Sequence, residues 1–159
     1  MSAPEPNTAP HSPGVDYAAL RNEACRLLAR REYSAWELRS KLQCAAPQTP
    51  QMLDRLLAEL VERGAQSDLR FAEQRCRRRY QDGRGPVKLL HELAEHRIDE
   101  ALIERVMSDY QSKWRNSASE VRRRKFGDQA PASYREWARQ ARFLQQRGFD
   151  AEHIEPFAD

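Results

Sequence analysis

The chain has 159 residues, of which 32% are charged, 40% hydrophobic and 8% aromatic, with a mean hydropathy of −0.90. That is thin material for one deep core, yet too apolar and too regularly spaced for a disordered chain, so small helical layers with narrow apolar seams are expected. No apolar run approaches the roughly 20 residues of a membrane span, and the first residues lack a signal peptide's basic and apolar blocks, so the expected setting is the cytoplasm with no membrane partner.

Residues 1–15 hold Pro4, Pro6, Pro10 and Pro13 among Ser, Thr and Gly, and are expected to form a disordered arm. From Asp16 onward apolar residues recur three and four apart, without sustained alternation, which predicts helices and no sheet. A first helix is expected over about Asp16 to Arg31 on Tyr17, Leu20, Ala24, Leu27 and Leu28. Ser34 and Glu37 form a capping box that opens a second, with Tyr33 placed to staple onto Leu38. Thr49-Pro50 begins a third, whose stripe of Leu53, Leu56, Leu57 and Leu60 ends at Gly64. These make a three-helix unit over 16–66.

A second unit, 67–112, starts with a helix capped by Ser67 or Asp68, carrying Phe71, Ala72, Cys76 and Tyr80 and stopping at Gly83. Gly85-Pro86 starts the next helix, and Asp99 caps one bearing Leu102, Ile103 and Val106. The third unit, 113–159, comprises Trp114 to Phe126, a helix from the capping box Ser133 and Glu136 to Arg147, and a short closing helix after Gly148. A shift of 51 places Leu38 on Leu89, Leu42 on Leu93 and Leu93 on Leu144, and carries Ile98, Asp99, Ile103 and Val106 onto Phe149, Asp150, Ile154 and Phe157. The fold expected is all-α: three tandem three-helix repeats in an elongated, quasi-linear array.

Cys25, Cys44 and Cys76 are odd in number and widely spaced, which suggests reduced thiols rather than a disulfide framework or zinc knuckle. There is no Gly-rich phosphate loop, HExxH or nucleophile elbow. His91 and His96 are five apart, off the one-face spacing of helix-borne ligands, and Glu92 and Glu95 read as a solvated ionic face. No enzyme activity, metal or cofactor is expected.

The charge is sorted. Residues 113–147 carry ten basic and three acidic side chains, whereas 148–159 carry four acids and no Lys or Arg. On the helix opened by Asp68, Arg70, Gln74, Arg77, Arg78 and Gln81 share one arc, and Arg122, Arg123, Arg124 and Lys125 occupy a full helical turn. On the latter, Arg123 should point most directly outward, Arg122 and Arg124 flank the seam, and Lys125 snorkels from it. The seven cations are candidate contacts to carboxylates or phosphates. Trp36, Trp114 and Trp137 are read as core or inter-helix anchors.

Four strings in order resemble the signature of RecX regulatory proteins: Ser34-x-x-Glu37-Leu38-x-x-Lys41-Leu42, Asp68-x-x-Phe71-Ala72, Gly83-x-Gly85-Pro86 with Glu92-Leu93, and Phe143-Leu144-x-x-Arg147-Gly148-Phe149. The likeness spans about residues 17–159. Arg97 stands where that family usually has Gly, and the first unit adds Pro47 and Pro50. The resemblance implies a curved array of three three-helix units that lies along the groove of the RecA filament on single-stranded DNA; a monomer is expected. There it would obstruct strand exchange, ATP turnover and co-protease function without chemistry of its own. Weak direct contact with DNA is compatible with that reading; a direct DNA-binding protein built from helix-turn-helix-like units is the alternative, and an inert helical scaffold the third.

Overall fold

The computed structural model describes residues 17–45 and 50–158. The Pro-rich arm, Pro47 and Thr49 lie outside the described residues. Among the described residues seven α-helices follow in order: α1 Tyr17–Leu28, α2 Ala35–Ala45, α3 Pro50–Glu62, α4 Asp68–Gln81, α5 Val87–Glu95, α6 Glu100–Phe126 and α7 Tyr134–Gln146. A 3₁₀ turn, Ala151–His153, closes the chain, and there is no strand among the described residues. The architecture is all-α, built from tandem three-helix repeats.

Local chemistry sets most of the helix starts. Ser67 Oγ accepts from Arg70 N at 3.2 Å, Asp99 from Ala101 N at 3.0 Å and Ser133 from Glu136 N at 3.3 Å. Ser34 Oγ accepts from Glu37 N at 3.1 Å, but the Glu37 carboxylate pairs with Arg31. The Glu136 carboxylate accepts from Ala132 N at 2.9 Å, one residue before the cap. Asp150 and His153 make a full capping box.

Apolar side chains gather in two clusters. The first joins Leu20, Ala24 and Leu27 of α1 to Leu38 and Leu42 of α2 and Leu53, Leu56 and Leu60 of α3, and Tyr33 belongs to the same cluster as Leu38. The second runs from Phe71, Ala72 and Cys76 through Leu89, Leu93 and Val106 to Trp114, Ala118, Val121, Leu144 and Phe149. It therefore serves both later repeats.

One expected break does not occur. The helix capped by Asp99 and the helix expected from Trp114 are a single 27-residue α6. Residues 107–113 contain neither Gly nor Pro, and Met107 and Tyr110 keep its inner face packed on the second cluster, so nothing interrupts the hydrogen-bond ladder. α1 also ends at Leu28 rather than Arg31.

Candidate functional site

The repeats are held together at two joints, and the basic side chains take their positions from these. At the first joint, the α1–α2 turn and the start of α2 meet the start of α4 and the end of α5. Asp68 accepts from Ala35 N at 2.9 Å and from Gln66 Nε2 at 2.9 Å, while Gln66 Nε2 also donates to Tyr33 O at 3.1 Å. Gln66 and Ser34 are buried, so these bonds satisfy groups that have lost water. Ser34 Oγ lies 3.2 Å from His96 Nδ1, and the His96 ring sits 4.9 Å from Phe71 and edge-on to Trp36 at 5.8 Å.

The second joint is made of backbone. Gly85 N donates to Arg147 O at 2.9 Å and Val87 N to Gly148 O at 3.1 Å. A Cβ on Gly85 would come within 2.2 Å of the Gly148 carbonyl oxygen and 2.4 Å of Phe149 N, and one on Gly83 within 2.8 Å of Val121 Cγ2. Gly83 (φ +62°) and Gly148 (φ +89°) also occupy the left-handed region.

The predicted stripe on α4 divides accordingly. Arg70, Gln74, Arg77, Arg78 and Gln81 are all exposed, as the wheel predicts. Arg70, however, is engaged at the first joint: Nε pairs with Glu32 at 2.9 Å, and Nη2 donates to the carbonyls of Gly64 (2.9 Å) and Ala65 (3.2 Å) at the end of α3. Arg77 and Arg78 make no ion pair among the described residues.

The α6 cluster divides in the same way. Arg122 donates to Gln129 O at 3.1 Å and Gln140 Oε1 at 3.3 Å, pinning the α6–α7 loop onto α7. Arg123 pairs loosely with Asp128 at 3.5 Å and Arg124 with Glu120 at 2.5 Å. Contrary to the expectation for the wheel, Arg124 is more exposed than Arg123, at 70% against 58% of the side chain, and Lys125 is exposed rather than held along the seam. In the last turn of α6, Phe126 packs edge-on against Phe143 of α7 at 5.3 Å, while Arg123, Arg124 and Lys125 stay exposed.

Tyr80 packs on Tyr110 and Trp114, and Gly83 meets Val121, so α4 and α6 run in the same direction. Their basic C-terminal ends therefore lie towards one end of the packed pair. The sequence reading missed a third group there: Arg79, Arg84, Lys88 and Arg147, with Gln146, line an open concavity of about 380 Å³ beside the second joint. The local signal was present, since Arg84 and Lys88 flank Gly85-Pro86 and Arg147 precedes Gly148.

The tryptophans differ from one another. Trp114 is buried in the second cluster, Trp137 Nε1 donates to Glu155 O at 2.9 Å, and Trp36 is 38% exposed beside His96. Cys25 and Cys44 are exposed, and burial pushes the Cys76 thiol up to about 12. Among the described residues no helix is long and apolar enough to cross a membrane. None of their His, Cys, Asp and Glu side chains group in threes to hold a metal ion.

Comparison with known proteins places these joints in a family. The family model described as the second three-helix domain of RecX matches residues 67–107, and that of the third matches 115–157. Regulatory protein RecX of Halorhodospira halophila is 40% identical over 141 residues, covering 89% of this chain and 87% of that protein. The chain belongs to the RecX family. Regulatory protein RecX of Pseudomonas syringae pv. tomato is 38% identical over 86% of this chain and 87% of its own length, and that of Legionella pneumophila 41% over 84% and 88%. The crystal structure of RecX from Lactobacillus salivarius matches with a TM-score of 0.70 at 20% identity, covering 87% of this chain and 92% of that one. Another RecX crystal structure gives 0.71 at 16%, over 86% and 70%. At those identities the two structures speak for the fold alone. The RecX-like strings in the sequence are the joints themselves: the first two meet through Ala35 and Asp68, the last two through Gly85 and Gly148.

Proposed function

We propose that this chain is a cytoplasmic, monomeric regulator that binds the RecA nucleoprotein filament on single-stranded DNA and restrains its recombinase, ATPase and co-protease activities. The observation that carries the reading is near full-length identity of about 40% to a protein named Regulatory protein RecX. Three units, 16–66, 67–112 and 113–159, lie along the filament groove as an elongated, curved array, the last two sharing α6. Weak contacts from several units tied into one chain act at high effective concentration along neighbouring protomers. Nothing in this reading requires chemistry or a cofactor from the chain.

Contacts come from the outward cations Arg77, Arg78, Arg123, Arg124 and Lys125, while Arg70 and Arg122 hold the surfaces beneath them. Arginine forks suit both the carboxylates of a protein groove and phosphate oxygens. The test is ATP hydrolysis by the cognate RecA on single-stranded DNA, titrated with this protein from substoichiometric to stoichiometric amounts. Inhibition is expected, weakened by Arg77→Glu with Arg78→Glu. No effect at saturation, with binding to bare DNA retained, replaces RecA with DNA as the target.

A further inference from the structure

The concavity beside the second joint carries more than the filament reading uses. Arg79 comes from the end of α4, Arg84 from the following turn, Lys88 from the first turn of α5, and Gln146 and Arg147 from the end of α7. No acidic and no large apolar side chain lines it. Among the described residues Arg84 and Lys88 are exposed without an ion pair, and Arg147 lies over the Phe143 ring at 5.2 Å with Nη1 3.4 Å from Gly83 O. Glu92 lies outside the lining and is shared between Arg75 at 3.2 Å and Arg79 at 3.6 Å, and Arg79 Nε is buried with no hydrogen-bond partner. α5 begins here with Pro86 at its cap, no side-chain cap bond and no acid in its first turn, so the positive end of its dipole is not offset.

We propose that Arg79, Arg84, Lys88 and Arg147 form a binding site for a phosphodiester group of a nucleic-acid strand. Four like-charged side chains with a single carboxylate beside them, Glu92 at 3.6 Å from Arg79 and shared with Arg75, repel one another until an anion is held between them, and a phosphate offers several acceptor oxygens to separate donors. A protein partner's anchor is usually an aromatic or aliphatic side chain in an apolar pocket, which these walls do not offer; phosphate binding needs only cations and donors. The backbone bonds of Gly85 and Val87 to Arg147 and Gly148 fix the segments that carry the cations, so little order is lost when the anion arrives. The site deepens the filament reading and rests on it only for the source of the strand.

The test uses the full-length chain and a fluorescein-labelled oligothymidylate, followed by anisotropy across a salt series. Arg84→Gln with Lys88→Gln alters two exposed side chains; Arg105→Gln with Arg135→Gln, equally exposed, removes the same net charge elsewhere. The first pair should lower the salt slope by about two and weaken binding, while the second leaves the slope near wild type. An unchanged slope, equal losses in both variants, or no binding by the wild type at low salt overturns the site. Loss of RecA ATPase inhibition with oligonucleotide binding intact also overturns it, because the cations then meet a protein carboxylate. If wild type leaves RecA untouched while Arg84 and Lys88 govern oligonucleotide binding, the filament reading fails and the site stands.

Discussion

The two joints of this molecule use the same positions of the repeat and opposite chemistry. With the shift of 51, Ser34 corresponds to Gly85, His96 to Arg147 and Arg97 to Gly148. At the first joint, Ser34 meets His96 through side chains, and Asp68 and Gln66 complete a polar network between two separate apolar clusters. At the second, the equivalent residues touch backbone to backbone inside one continuous core. Hydrogen bonds that can be exchanged for water stabilise by only about 1 kcal/mol each, whereas parting the second joint exposes Phe149, Leu144 and Val121 to solvent. The first joint is thus the place where the chain can open, and the second the place where it is locked.

Replacing Gly85 should break the lock outright. In Gly85→Ala the new methyl falls on the Gly148 carbonyl, which cannot move without dragging Phe149 out of the core. We expect a loss of about 4 kcal/mol or more in urea unfolding, at the severe end for one substitution. Gly64→Ala is the control: its Cβ meets nothing, and φ of +69° alone costs roughly 1–2 kcal/mol. Equal losses would show that the close approach of the two glycines contributes nothing of its own.

Asp68→Ala addresses the other joint. It strips the acceptor from Ala35 N and from Gln66 Nε2, at a cost of about 1–3 kcal/mol for buried groups left unpaired. Because each side keeps its own core, the first cluster should melt separately: amide exchange rises in α1 to α3 while α6 keeps its protection. Exchange that rises evenly along the chain would refute two joints of unequal strength.

Acidification should act at the locked end. His153 is buried, and its Nδ1 accepts from Asp150 N at 3.1 Å. Burial holds its pKa below the usual 6.5, against the pull of Glu152 and Asp150 and with help from Arg115. A pKa depressed on folding means stability is complete above 6.5 and is lost as pH falls through that value towards the folded one. Protonation also removes the acceptor of the capping box. Urea midpoints between pH 7.5 and 5 should therefore fall more steeply for wild type than for His153→Gln, and parallel slopes would assign the acid sensitivity elsewhere.

What the sequence makes legible here is whatever is local. Ser67, Asp99, Ser133 and Asp150 cap helices because the group each one satisfies lies within three residues. The continuity of α6 was not legible: the expectation of equal triplets supplied a break where 107–113 holds no breaker. On a helical wheel Arg70 and Arg77 are alike, and only Glu32, distant in sequence, and the carbonyls just past α3 tell them apart. The basic concavity was hidden for the same reason, since Arg84 and Arg147 are brought together by a contact between two glycines that carry no side chain to announce it.

The smallest effect tests why the repeat carries Gly148 at one joint and Arg97 at the other. Both end a helix in the left-handed region, and Leu93 O and Leu144 O accept from Ile98 N and Phe149 N at the same 3.1 Å, so the turns match. Arg97, at φ +54°, bears strain of roughly 1 kcal/mol that glycine would not, and it sets its guanidinium 5.9 Å from the Trp36 ring across the first joint. An exposed contact of this kind returns about 0.5–1 kcal/mol. Arg97→Ala keeps the strain and loses the contact, so it should be less stable than Arg97→Gly by about 1 kcal/mol, with Arg97→Gly within about 1 kcal/mol of wild type. If Arg97→Ala instead matches wild type, neither strain nor stacking operates at this turn. If Arg97→Gly and Arg97→Ala both lose protection in α2, the arginine is a tether across the joint that can open.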